Sequence, residues 1–201
     1  MNPTPASPIL TDRYHSAIGL ALELHYGHVR KGTTIPYISH LLSVSSLVLD
    51  TGGDEDPAIA ALLHDAVEDA DGMSGEEVAD LIRRRFGDRV ADIVLGCSDT
   101  VSTGGTAKPP WRTRKEAYLE KLRHEPDDVV RVSLADKVHK ARSIASDQDR
   151  LGDELWSRFN ATRDDSHWYY SSLRAVYAER LPGNPLIREL DLAIQRIWPE
   201  K

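Results

Sequence analysis

Ala61-Leu62-Leu63-His64-Asp65-Ala66-Val67-Glu68-Asp69 is the stretch that decides how this chain reads. An apolar helical run ends on a histidine and an aspartate, and a second acidic pair follows one turn later. Residues four apart on a helix share a face. His64, Asp65, Glu68 and Asp69 would then form one ionisable stripe just past a segment patterned for burial. Such a stripe repels itself unless a cation or a basic ligand joins it. A nitrogen donor beside an oxygen donor suits a first-row divalent ion such as Mn²⁺, Fe²⁺ or Zn²⁺. Glu68 stands where a carboxylate can hold or deprotonate a water next to that ion. The plainer alternatives are that His64 only caps its helix while Asp65 faces water, and that Glu68 opens an acidic loop continued by Asp71.

Outward from this stretch nearly every segment carries a helical apolar period. Residues 9–28 space Ile18, Leu20, Ala21, Leu22 and Leu24 for one buried face, and Gly32 to Pro36 reads as a turn or extended link. A second helix is expected from Tyr37 or Ser39 to Leu49, stopped by Gly52-Gly53. Asp56-Pro57 is expected to open a third, with Asp56 as cap. Ser74-Gly75-Glu76-Glu77 starts a fourth over residues 76–86, and residues 88–95 form a fifth. Residues 102–110 read as a Gly/Thr/Pro loop. Helices are then expected over 113–122, 127–146, 151–159 and 166–180, with a short one after Pro185. No stretch alternates strictly enough for a strand, and there is no internal repeat. The breaks are short enough to be loops. The expectation is one all-α domain.

The bulk composition narrows the function classes. The chain has 201 residues, enough to bury a substantial core, and 40% of them are hydrophobic. Its 32 acidic and 25 basic residues give a formal charge of −7, which argues against general binding to nucleic acid or anionic membranes. A single cysteine, Cys97, forbids an intramolecular disulfide and reads as a packed thiol. No apolar run is long enough to span a bilayer, and residues 1–8 lack a secretory pattern, so a cytoplasmic location is expected.

Further candidates lie elsewhere. His40 closes Tyr37-Ile38-Ser39-His40 ahead of an apolar helix, with His15, His25 and His28 as rival ligands. Asp136 ends the apolar stretch Val129-Val130-Arg131-Val132-Ser133-Leu134-Ala135 and needs a partner if buried: Lys137 or Arg142 in a salt bridge, or the same ion. Arg30 and Lys31, and the set Lys108, Arg112, Arg114 and Lys115, are the best counter-charges for a phosphorylated substrate. Lys137 and Lys140 join Arg30, Lys31, Arg114 and Lys115 as candidate substrate-binding residues. Trp111 could stack a base or belong to the core.

Ordered along the chain, His25-x-x-His28-x-Arg30-Lys31-Gly32, Tyr37-Ile38-Ser39-His40, residues 60–69, Phe86-Gly87 and Leu134-Ala135-Asp136-Lys137 make a specific set. The chain resembles the HD-domain family of metal-dependent phosphohydrolases. Within that family it is similar to the hydrolase domain of RelA/SpoT enzymes and to the stand-alone small alarmone hydrolases, which include the metazoan SpoT homologue. The resemblance implies a single HD-type helical bundle over residues 1–201, with its core at about 10–180 and a helical extension after it. It implies one Mn²⁺ (Fe²⁺ or Zn²⁺ being possible) held by His40, His64, Asp65 and Asp136, with Glu68 and Asp69 helping to activate water. It implies removal of the 3′-pyrophosphate from ppGpp or pppGpp, the nucleotides of the stringent response, giving GDP or GTP and pyrophosphate. Arg30 and Lys31 match the family's phosphate-side basic pair.

Two positions depart from the family pattern. Lys140 stands where an Asn usually helps form the nucleotide site, and His28 stands where Gln is common. No synthetase domain or regulatory tail is evident, so hydrolysis alone is expected. The expected partner is a small nucleotide, with no nucleic acid and no membrane; oligomeric state is not readable. The alternatives are a related phosphohydrolase acting on another nucleotide or NADPH, and a non-catalytic nucleotide-binding or antitoxin module.

Overall fold

The computed structural model describes residues 10–98 and 109–199. Among these the chain is helical throughout, and the only β pairing is an isolated antiparallel bridge between Val29 and Pro36. The elements in order are α1 (Asp12–Leu24), α2 (Ile38–Asp50), α3 (Glu55–Leu63), α4 (Ala66–Asp69), α5 (Gly75–Phe86), α6 (Asp88–Cys97), α7 (Trp111–His124) and α8 (Asp127–Leu151). A 3-10 turn over Gly152–Arg158 then leads to α9 (Arg163–Arg180) and α10 (Pro185–Ile197).

Helix α3 is the hub. Every residue from Pro57 to Leu63 is buried, so the segment is apolar all round and must be enclosed on all sides. It packs against α1, α2, α6 and α8. Helix α8 is the second spine: at 25 residues it runs about 37 Å at 1.5 Å per residue. It touches α2, α3, α6, α9 and α10. At its centre Ser133 Oγ bonds the Tyr118 hydroxyl at 2.8 Å and the Tyr177 hydroxyl at 2.7 Å, tying α7 and α9 to α8 deep in the core. Helix α6 comes so close to α8 that a Cβ on Gly96 would sit 2.7 and 2.8 Å from the Val129 methyls.

The helix ends follow local chemistry that apolar spacing does not encode. Helix α1 stops at Leu24, short of His28, because His25 leaves helical backbone at φ −113 and ψ 28. The cap of α3 is Asp54, whose side chain accepts from the Asp56 N–H, so Asp56 lies inside the helix and not at its cap. Ser74 and Glu77 form a reciprocal capping box on α5. Gly87, at φ 93, makes the turn from α5 to α6. The expected helix over 151–159 is a 3-10 turn, while α7, α8 and α10 all run longer than their apolar period suggests. The expected loop over 102–110 and Lys108 lie outside the described residues except at its last two positions.

Truncating the fully buried Leu62 to Ala should cost about 2–5 kcal/mol in urea denaturation, through lost burial plus a cavity. Ser74→Ala, which removes a solvent-facing cap, should cost about 1 kcal/mol. Equal losses from the two would contradict the central position given to α3.

Candidate metal centre

The helix breaks where the chemistry begins. His64 is the C-cap of α3 and Asp65 the N-cap of the short α4, both with helical backbone angles but joined by a turn. The His64 ring is buried, and its Nδ1–H donates to the Ala61 carbonyl at 2.8 Å. That bond points Nε2 inward, 3.0 Å from Asp65 Oδ2 and 3.5 Å from Asp136 Oδ1. His40, completely buried on the first turn of α2, brings its Nε2 to 3.1 Å from Asp136 Oδ1 and 3.5 Å from Asp65 Oδ2. Ligand atoms of His40, His64 and Asp65 all lie within 4.8 Å of one another. Four residues from three separate stretches of the chain thus converge, and the rival His15, His25 and His28 take no part in that cluster.

The hydrogen bonding divides the Asp136 carboxylate into a braced side and an open side. Asp136 Oδ2 accepts from Lys137 Nζ and, at 3.1 Å, from Lys140 Nζ. Asp136 Oδ1 has no hydrogen bond, although Lys140 Nζ lies 3.0 Å away. His40 Nε2 and His64 Nε2 are likewise buried without hydrogen-bond partners. Tyr37 donates its hydroxyl to Asp65 Oδ2 at 2.6 Å. Buried polar atoms are almost always satisfied. Three orphaned lone-pair atoms facing one another, two nitrogen and one oxygen, are the donor set a divalent ion requires. These residues fit such an ion.

Without an ion, the acids and bases of the cluster bias one another's protonation. Burial opposes the charged form of Asp65, but His64 and Lys140 outweigh it and hold the carboxyl well below its ordinary range. Burial also opposes charge on Asp136, and Lys137 and Lys140 overcome it. Burial lowers His64, yet Asp65 and Asp136 raise it to about 10. Asp69 is pushed up by burial and by repulsion from Asp65 and Glu68.

Two cavities flank the cluster. A small polar one of about 80 Å³ is lined by His64, Asp65, Glu68, Asp136, Lys115, Lys137 and Lys140, together with Cys97, Ser133, Tyr118 and Tyr169. Ser98 donates to Glu68 Oε1 there at 2.6 Å. A larger one of about 550 Å³ is lined by Arg30, Lys31, Tyr37, His139, Lys140, Arg142, Arg150, Arg158, Phe159 and Tyr170, among others. The turn that presents Arg30 and Lys31 is closed by Arg30 N–H to the Ile35 carbonyl at 2.8 Å and Tyr37 N–H to the His28 carbonyl at 2.9 Å. Lys140 lines both cavities.

Asp69 and Arg114 line neither cavity. Glu68 and Asp69 are neighbours within α4, about 100° apart around its axis, and of the two Glu68 lines the small cavity. Arg112 stacks its guanidinium 3.1 Å over the Trp168 ring and pairs with Glu116, and Trp111 packs against Trp168 and Tyr169. Both are structural. Cys97 is buried enough that its thiol is pushed up strongly, which fits a packed residue. Sequence reading missed His139, whose Nδ1 lies 2.8 Å from His40 Nδ1. Its signal was its place three residues after Asp136 on α8, hence on the same face. It also missed Arg150, in the last turn of α8, and Arg158, at the end of the 3-10 turn that follows, both of which line the large cavity.

A family model described as HD domain matches residues 17–166. A guanosine-3′,5′-bis(diphosphate) 3′-pyrophosphohydrolase of Haemophilus influenzae is 32% identical over 133 residues, covering 63% of this chain and 18% of that protein. The protein of the same name from Aquifex aeolicus is 39% identical over 140 residues, covering 68% of this chain and 18% of its own. The chain thus spans less than a fifth of the length of either relative. Among solved structures, lmo0812 from Listeria monocytogenes EGD-e superposes with a TM-score of 0.67 at 26% identity, covering 80% of this chain and 99% of its own. A metazoan orthologue of SpoT, described as hydrolysing ppGpp, superposes with a TM-score of 0.69 at 22% identity, covering 93% of this chain and 96% of its own, and so shares the fold.

Replacing Asp136 with Ala should leave the buried Lys137 ammonium without its counter-ion and cost the metal-free protein about 3–5 kcal/mol in chemical denaturation. An unchanged or raised midpoint would show that the pair is not what keeps these charges inside.

Proposed function

This chain belongs to the HD domain family, and from that premise we propose that it hydrolyses the 3′-pyrophosphate of guanosine tetra- or pentaphosphate with the help of one divalent ion, Mn²⁺ in our reading. The observation that carries the proposal is the convergence of three orphaned buried donor atoms, His40 Nε2, His64 Nε2 and Asp136 Oδ1, between a small polar cavity and a larger basic one. The names of the relatives in Haemophilus influenzae and Aquifex aeolicus support the substrate.

In this reading His40, His64, Asp65 and Asp136 hold the ion. When bound, it supplies Lewis acidity at a phosphoryl oxygen and eases deprotonation of a water. Glu68, at the wall of the small cavity and anchored by Ser98, accepts the proton of the attacking water. Water oxygen bonds to the phosphorus attached to the 3′-oxygen, that P–O bond breaks, and the nucleoside oxygen leaves with a proton. The products are GDP or GTP and pyrophosphate. Asp69, whose carboxyl is raised by burial and by Asp65 and Glu68, is the candidate to pass the proton on. Lys115, Lys137 and Lys140 gather around the pyrophosphate side, and the 550 Å³ cavity takes the nucleoside with Arg30 and Lys31 as counter-charges. We assign Arg114 an indirect part at most, since it lines neither cavity.

Lys140 favours a second reading. A point charge in place of the family's Asn suits phosphate better than a base edge, so another nucleotide or NADPH is the competing substrate. No described helix is long and apolar enough to cross a membrane, in keeping with a dissolved small-molecule substrate.

Purified protein with Mn²⁺ should release pyrophosphate from ppGpp, and chelation should abolish turnover. Glu68→Gln should lower kcat by about 10²-fold or more while Mn²⁺ binding persists. Release of inorganic phosphate from NADPH, with no pyrophosphate from ppGpp, would replace this substrate by the second reading.

A further inference from the structure

The two imidazoles of the cluster are held in different ways. His64 has the common arrangement for a metal ligand: Nδ1–H bonded to a backbone carbonyl, Ala61, at 2.8 Å. His40 has no carbonyl or carboxylate on its outer nitrogen. Its Nδ1 lies 2.8 Å from His139 Nδ1, with the ring centroids 4.8 Å apart. Two ring nitrogens at that distance share a single hydrogen, since two would clash and none would leave two lone pairs opposed. The inward Nε2 of His40, orphaned and facing Asp136 and Asp65, must keep its lone pair to bind an ion. Its ring hydrogen therefore sits on Nδ1, and His139 Nδ1 is the acceptor.

From this geometry we propose that His139 is a positioning residue: it accepts from His40 Nδ1–H, fixes the tautomer and tilt of that ligand, and so sets the affinity of the site for its ion. The inference rests on the reading of His40 as a ligand. His139 is itself held from both sides of the chain. It occupies α8 one turn from Asp136, so the same helix delivers a ligand and the brace of another ligand. Its backbone carbonyl accepts from Ser143 Oγ at 3.0 Å, and Ser143 Oγ in turn accepts from Arg30 at 3.1 Å. His139 and Arg30 both line the 550 Å³ cavity. The brace of His40 is therefore part of the wall that a ligand in this cavity touches, which places ion affinity and cavity occupancy on one side chain.

The test compares three forms of the full chain in Mn²⁺ titrations read by the electron paramagnetic resonance of free Mn²⁺, with thermal unfolding of each metal-free form. His139→Leu removes the acceptor at nearly constant bulk, while His139→Asn keeps an acceptor oxygen near the place of Nδ1. We expect Leu to weaken Mn²⁺ binding by about 10- to 100-fold, and Asn to stay within a few-fold of the unchanged chain. Nitrogen-15 shifts of His40 should report the Nδ1–H form in the unchanged chain and in His139→Asn, and a mixture of tautomers in His139→Leu. Equal Mn²⁺ affinity in all three overturns the positioning role while leaving His40 as ligand intact. A fall shared by Leu and Asn overturns it as well, because an acceptor would then not be what matters. If the unchanged chain binds no Mn²⁺, the ligand reading itself fails and the inference with it.

Discussion

Two carboxylates inside an apolar bundle, Asp65 and Asp136, are the constraint around which this molecule is organised. Ionised groups in a protein interior are tolerated only with counter-charge and directed hydrogen bonds. Asp136 has both on one oxygen, where Lys137 and Lys140 converge, while the other, although Lys140 Nζ is 3.0 Å away, has no hydrogen bond and faces two imidazoles. Asp65 is steadied by Tyr37 and turned toward the same point. The pattern neutralises the acids from outside while leaving lone pairs gathered inside. A protein that only needed to be stable would have satisfied those atoms or replaced them with hydrocarbon.

The helical frame serves this arrangement. A segment with no polar face, α3, carries His64 and Asp65 into the middle and then breaks. α2 brings His40 to its first turn, and α8 supplies Asp136 together with the two lysines and His139. Because α8 also borders both cavities, the residues that neutralise the acids and those that would meet phosphate are partly the same, Lys137 and Lys140 above all. A chain of net charge −7 can thus present a locally cationic surface to an anionic ligand where it is needed.

Much of this was legible before any coordinates. Apolar spacing marked the helices because each buries one face, and the His64-Asp65 break stood out as charge at the end of a segment with no polar side. Asp136 was visible for the same reason. Helix limits were less legible, since they rest on caps such as Asp54 and on backbone turns such as that at His25, which residue spacing does not encode. Glu68 and Asp69 looked equivalent on a continuous helix. Both belong to α4, and their different directions around its axis give Glu68 to the small cavity and leave Asp69 outside its lining. His139 reads like any polar residue in Lys137-Val138-His139-Lys140, and only the approach of α2 to α8 reveals its bond to His40. Arg150 and Arg158 likewise become cavity residues through tertiary packing alone.

The central claim is that four side chains hold one ion. Anomalous diffraction at the manganese absorption edge, from crystals grown with Mn²⁺, tests it most directly. The account predicts a single strong peak about 2.0–2.3 Å from the Nε2 atoms of His40 and His64 and from carboxylate oxygens of Asp65 and Asp136. A peak elsewhere in the molecule, or none among these residues, would contradict it.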